Sequence, residues 1–128
     1  MLPQENSIVF AQVVRVSRRA ARLVILGSEV GSFPDRFPAI LRQTDVRSFN
    51  PDAVDMYASF KPQDIVRARV ISLGDMSNFY LSTASDDLGV CFAFSKDGHV
   101  LVPVNWEEMQ CSGTKKIELR KVAKPVLE

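Results

Sequence analysis

Apolar residues recur at every second position in several short runs of this chain, the period of a strand with one buried face. The clearest run is Ile65 to Leu73, where Val66, Ala68 and Val70 share one side. Arg67 and Arg69 share the other side with Ile65 and Ile71, and the turn Lys61 to Asp64 leads into the run. Ile8 to Val16 reads as an earlier strand that runs into Ser17-Arg18-Arg19-Ala20, and Arg22 to Leu26 as its hairpin partner. Gly27 to Pro38, with two glycines and two prolines, reads as a long loop, followed by a short strand from Ala39 to Leu41. Asn50-Pro51-Asp52 predicts the start of a helix of about two turns that ends near Phe60. Phe79 to Thr83 then pairs with Ile65 to Leu73 around a turn at Gly74 to Asn78. Three strands, a short helix and two strands is the pattern of a five-stranded OB-fold barrel.

Beyond Ser85-Asp86-Asp87 the texture changes. Leu88 to Phe94 and His99 to Val104 read as strands joined by Ser95-Lys96-Asp97-Gly98, whose Asp-Gly step is a strong hairpin signal. Trp106 to Cys111 reads as irregular or helical, and Lys116 to Ala123 as a third strand. The expected architecture is all-β: a barrel over residues 1–85 and a small β-rich, ribbon-like domain over 86–128. A tail of this size is too small for a core of its own, so it is expected to pack on the barrel or on another protein.

The chain has 128 residues, 46% hydrophobic and 24% charged, ordinary values for one globular domain or two small ones. No apolar run is long enough to cross a bilayer, and Leu2 to Ala11 is too short and too poor in positive charge for a signal peptide. A reducing compartment follows, with Cys91 and Cys111 as free thiols, though one disulfide stays open from sequence. Cys91, on an apolar strand, is expected as a small buried hydrophobe.

Net charge is only +1, but its distribution matters more. Residues 1–85 carry ten Lys and Arg against eight Asp and Glu, and residues 86–128 carry six against seven. Nine of the first ten cations are arginines, whose planar fork suits phosphate and stacks on bases. Arg15, Arg18, Arg19 and Arg22 lie within eight residues, with no acidic neighbour. A strand that buries valines and displays guanidinium groups suits a barrel receiving a polyanion on its outer wall. The alternatives are a solvated basic face and a protein-interaction surface that meets acidic partners.

Other chemistry fares less well. Cys91, His99 and Cys111 fall short of the four closely spaced ligands of a structural zinc site, even with Asp97 or Glu107 added. The tail is therefore expected to be metal-free, and no cofactor or small-molecule substrate is expected. His99 has no orienting partner within reach of sequence reasoning, and Asp86-Asp87 on an extended segment point apart, so no enzyme is expected and a metal-dependent nuclease ranks last. Phe10, Tyr57, Phe60 and Phe79 read as core. Phe33, Phe37 and Trp106 are harder to bury in a small barrel and are candidates for partner contact. The basic strand Lys115 to Lys124, with Lys116 and Arg120, joins them.

Several motifs carry a resemblance. Ala39-Ile40-Leu41-Arg42-Gln43-Thr44-Asp45-Val46 fills the G-x-I-H-x-S-E-I frame of S-one RNA-binding domains. Phe60 to Val70 follows their F-x-x-G-D-x-V-x-A-x-V, with Gln63 where glycine is usual, and Tyr80-Leu81-Ser82 resembles the closing x-L-S. With Tyr57 to Pro62, Val70 to Asp75, Leu88-Gly89-Val90, Glu108 to Cys111 and Arg120 to Ala123, nearly the whole chain resembles the Csl-four type cap subunits of the eukaryotic RNA exosome. That family carries a further N-terminal domain, and this chain starts almost at the first barrel strand, so it reads as a shortened form.

The resemblance implies a non-catalytic RNA-binding scaffold in the nucleus, nucleolus and cytoplasm. It would contact other exosome core and cap subunits and guide RNA to 3'-to-5' exonucleases. Arg18, Arg19, Arg22, Arg42, Arg67 and Arg69 would follow the phosphate backbone, gathered by barrel closure onto one wall. S-one domains commonly carry stacking aromatics on the second and third strands, but Ala20 to Val24 has none. The expected RNA contact is therefore weak, electrostatic and sequence-independent.

Overall fold

A computed structural model describes residues 2–73 and 78–124. Its barrel strands are β1 (Ile8–Val16), β2 (Ala20–Ser28), β3 (Gly31–Arg42), β4 (Ile65–Leu73) and β5 (Phe79–Ser82). The strand order is β1-β2-β3-β5-β4, and β4 pairs back onto β1, so the sheet closes. Only the β3–β5 contact is parallel. This is the five-stranded barrel expected from the pattern. Alternation drives it: Val9, Ala11 and Val13 of β1, Ala21, Leu23 and Ile25 of β2, and Val66, Ala68 and Val70 of β4 all point inward and are buried.

Two elements of the barrel half differ from expectation. β3 extends back to Gly31 through Phe33-Pro34-Asp35-Arg36-Phe37-Pro38, which reads as a loop in sequence. Its pairing with β2 jumps between Ile25↔Phe37 and Gly27↔Ser32, so the prolines sit in or beside an irregularity. The β5 pairing begins only at Ala39, and a strand segment with a free side tolerates proline's missing N–H. The two-turn helix is broken instead. A 3-10 turn spans Pro51–Ala53, Val54 is extended, and a single turn α1 (Met56–Ser59) follows. Asp55 rather than Asn50 is the cap, accepting from the N–H groups of Tyr57 and Ala58. Met56 of this segment, with flanking Val46 and Phe60, is buried in the apolar core, while Tyr57 faces solvent rather than the core. The turn expected over Gly74 to Asn78 lies, apart from Asn78, outside the described residues.

The chain beyond residue 85 forms β6 (Gly89–Phe92), β7 (Leu101–Pro103), β8 (Glu108–Cys111) and β9 (Ile117–Leu119). β6 pairs with β4, extending the barrel sheet, and Val90 also bridges to Val122. Gly89 has φ +138°, and a Cβ there would strike the Lys121 carbonyl, so glycine admits this close approach. β7, β8 and β9 make a separate antiparallel sheet, so Glu108 to Cys111 is a strand and not the irregular segment expected. Leu101, Met109 and Cys111 line its inner face and join the barrel's apolar core. Cys111 is the buried thiol, and Cys91 is exposed, the reverse of the expectation for Cys91.

Buried charge fixes the seam. Arg120 is 2% exposed; its Nε donates to Asp64 Oδ2 at 2.7 Å. The same carboxylate accepts the Lys61 N–H at 2.9 Å. Burial holds the Asp64 carboxyl above the usual carboxylate range despite the guanidinium beside it. Lys121, equally buried, donates from Nζ to the carbonyls of Ser85 (2.9 Å) and Leu88 (2.5 Å).

Candidate nucleic-acid interface

The β1–β2 hairpin builds a basic surface from the chain's own alternation. Leu23 points into the barrel, so Arg22 points out, directly across from Arg15 on β1 and Ile40 on β3. The connecting residues Ser17, Arg18 and Arg19 are exposed, and the Arg19 carbonyl accepts the Gln43 N–H at 2.8 Å. That bond ties the hairpin tip to the end of β3, where Arg42 stands opposite Ala20. Among the described residues, Arg15, Arg18, Arg19 and Arg22 have no acidic side chain within ion-pair distance. Like charges this close repel unless an anion lies between them.

Arg42 is held differently. Its Nε donates to Asp45 Oδ2 at 2.8 Å, and its guanidinium lies 4.1 Å above the Tyr80 ring. Tyr80 reaches this wall because β5 pairs in parallel with β3, setting it beside Ile40. The aromatic absent from Ala20 to Val24 thus arrives from β5. Sequence reasoning missed it, although the alternation around inward-facing Leu81 carries the signal.

Arg67 and Arg69 do not join the hairpin surface. Arg67 pairs with Phe10, which in turn faces Gly27, five positions along β2 from Arg22. At the rise of a strand this is about 17 Å. The expected single wall of Arg22, Arg42 and Arg67 therefore holds for the first two only. Arg67 is also neutralised: it hydrogen-bonds Asp87 at 2.9 Å and Glu29 from the β2–β3 turn. Its hydrogen bond holds the Asp87 carboxyl below the usual carboxylate range. Arg69 faces Ile8 and Ser82, and its guanidinium approaches the Asn6 carbonyl at 3.5 Å.

The expected partner contacts divide likewise. Phe33 is 5% exposed and packs edge-on against Phe37, which meets Phe79 in the same way, so local packing accounts for both. Arg120 is the buried partner of Asp64 and offers no surface to another chain. Lys116 and Trp106 are exposed, Trp106 at 54%. Trp106 lies 6.4 Å from exposed Phe49, with the Arg47 guanidinium 4.8 Å from its ring centre. Nothing in the composition of the 43–50 segment marks Arg47 and Phe49, since the tail strands bring Trp106 to them. A groove of about 620 Å³ runs from this cluster past Pro103, Val104, Lys121 and Lys124. Among the described residues, no group of three or more His, Cys, Asp or Glu is placed to hold a metal ion. No described helix is long and apolar enough to cross a membrane.

Comparison with known proteins adds a lineage to this geometry. Residues 28–73 match the family described as Exosome component EXOSC1/CSL4. The chain is 46% identical over 127 residues to the human exosome complex component CSL4, covering 97% of this chain and 64% of that protein. It is 41% identical over 129 residues to the csl4 component of Schizosaccharomyces pombe, covering all of this chain and 71% of that protein. The chain thus spans less than two thirds of its human relative's length. A solved structure described as an exosome complex RNA-binding protein superposes with a TM-score of 0.55 and 21% identity, over 82% of this chain and 54% of that one. At that identity the likeness concerns the fold.

Proposed function

The chain belongs to the CSL4 family of exosome components, and from that premise we propose that it is an RNA-binding, scaffolding subunit of the exosome cap. In this reading it performs no catalysis. It holds single-stranded RNA weakly and without sequence preference, and passes it to 3'-to-5' exonucleases supplied by other subunits. The observation that carries the reading is the hairpin surface of Arg15, Arg18, Arg19 and Arg22, cations without acidic partners among the described residues. Contacts with other exosome subunits fall to Lys116 and the outward residues Val102, Ile117 and Leu119 of the C-terminal sheet, which stay exposed. Work in nucleus, nucleolus and cytoplasm is part of the same proposal.

Titration of RNA binding against salt tests it. Binding through phosphate gives a straight log–log plot, and replacing one hairpin arginine by glutamine lowers the slope by roughly 0.7 to 1. The same change at Arg67, already held by two carboxylates, should leave the slope nearly unaltered. If the chain binds no single-stranded RNA even at low salt, a pure protein-interaction module replaces this reading.

A further inference from the structure

Two arginines flank the 3-10 turn Gln43–Asp45, and each holds its guanidinium carbon over an aromatic ring. On one side, Arg42 lies over Tyr80, and its Nε donates to the Asp45 carboxylate. Half of the Arg42 side chain remains open to solvent, at 45% exposure. On the other side, Arg47 lies against Trp106 and 5.8 Å from the Phe49 ring, both aromatics more than half exposed. The Arg42 guanidinium, over a ring and still open to solvent, extends the π-surface beneath it, whereas Arg47 is half-buried beside two rings that are themselves the exposed surface. A guanidinium also presents N–H groups at its rim.

We infer that these two stacks, Arg42 on Tyr80 and Arg47 on Trp106, are platforms for two unpaired nucleobases of a single RNA strand. The inference rests on the RNA-binding reading and adds base contact to a surface otherwise suited to phosphate. Stacking fits because planar guanidinium and aromatic faces accept any base, which keeps the site tolerant of sequence. The hairpin arginines adjoin the first platform through the bond from Gln43 to Arg19, so phosphates and bases of one strand can be met together. At the Arg42 stack a protein partner would leave the neighbouring row of unpaired cations unexplained.

The test compares binding of the chain to a single-stranded oligoribonucleotide and to an abasic ribose-phosphate oligomer of equal length. The base-bearing strand should bind at least about tenfold tighter, since each stacked base contributes about that factor or more. Trp106 is the single tryptophan, so its emission should be quenched by the base-bearing strand and not by the abasic one. R42K and R47K keep the charge and lose the plane. Each should cut the contrast severalfold. Equal, salt-dependent affinity for the two oligomers would overturn the platforms and leave the phosphate reading standing. Binding of neither would overturn both. A contrast that survives R42K and R47K would place the bases elsewhere, and one without Trp106 quenching would assign the Arg47 stack to a protein partner. Either result overturns the two-platform arrangement.

Discussion

In β1 to β5 every buried side chain is apolar, whereas the C-terminal sheet is fastened to the barrel by Arg120 and Lys121, two buried cations. The barrel's longer strands each present two or more inward residues, enough for a continuous wall. The C-terminal strands are three or four residues long and present Leu101, Met109 and Cys111 between them. A sheet with so few apolar groups cannot bury a core of its own. Its attachment adds, to a share in the barrel's apolar core, polar groups that are costly to bury and costlier to leave unpaired. Apolar burial makes the barrel, and satisfied buried charge positions its appendage.

That contrast is most open to attack at Arg120. Arg120→Ala leaves the buried Asp64 carboxylate without its cation and with only the Lys61 N–H, and should destabilise by about 3–5 kcal/mol in chemical denaturation. Hydrogen exchange should localise the loss to the seam and residues 86–124, not to β2 and β3. Replacing both partners, Asp64→Leu with Arg120→Met, should return most of that stability if the pair specifies position and not strength. A double variant as damaged as the single one would contradict the comparison.

In the barrel, Leu41→Ala should cost about 2–5 kcal/mol and loosen both regions together, because Leu41 belongs to the shared core. Selective loss of the tail in that variant would show that the two regions are less alike in stability than their common core implies.

Lys121 sharpens the comparison through pH. Burial, reinforced by nearby Arg47, lowers its ammonium from 10.5 to about 8. Between those values the unfolded chain holds a proton that the folded chain lacks, so stability from this group rises as pH climbs from 8 to 10.5. Relative to Lys121→Met, the intact protein should gain up to about 3 kcal/mol across that window in urea unfolding. A flat difference would mean that Lys121 keeps its proton, its charge held by the Ser85 and Leu88 carbonyls. The smallest effect belongs to the half-exposed surface pair: Glu29→Gln should change stability by less than about 1 kcal/mol, yet release Arg67 enough to raise the salt slope of RNA binding.

Much of the barrel was legible because a strand's period assigns each residue to a face without reference to anything distant. Arg22, Arg67 and Arg69 face outward as their neighbours Leu23, Val66 and Val70 dictate. The broken helix and the long β3 were less legible, since Val54 and the prolines act through partners that local propensity does not include. The candidate interface was half legible. The hairpin arginines are close in sequence and stay close in space, but Tyr80 reaches Arg42 only through the parallel β3–β5 pairing.

Alternation and turn chemistry along the chain determined which residues enter the core, where most strands run and that arginine dominates the outer wall. Only the tertiary structure decided which of those arginines are free. Arg67 meets Glu29 across 38 residues and Arg120 meets Asp64 across 56, so two cations that look alike in sequence are withdrawn from any ligand. Charge pairing acts over a few ångströms of space, and no local period records which distant loop will supply the carboxylate.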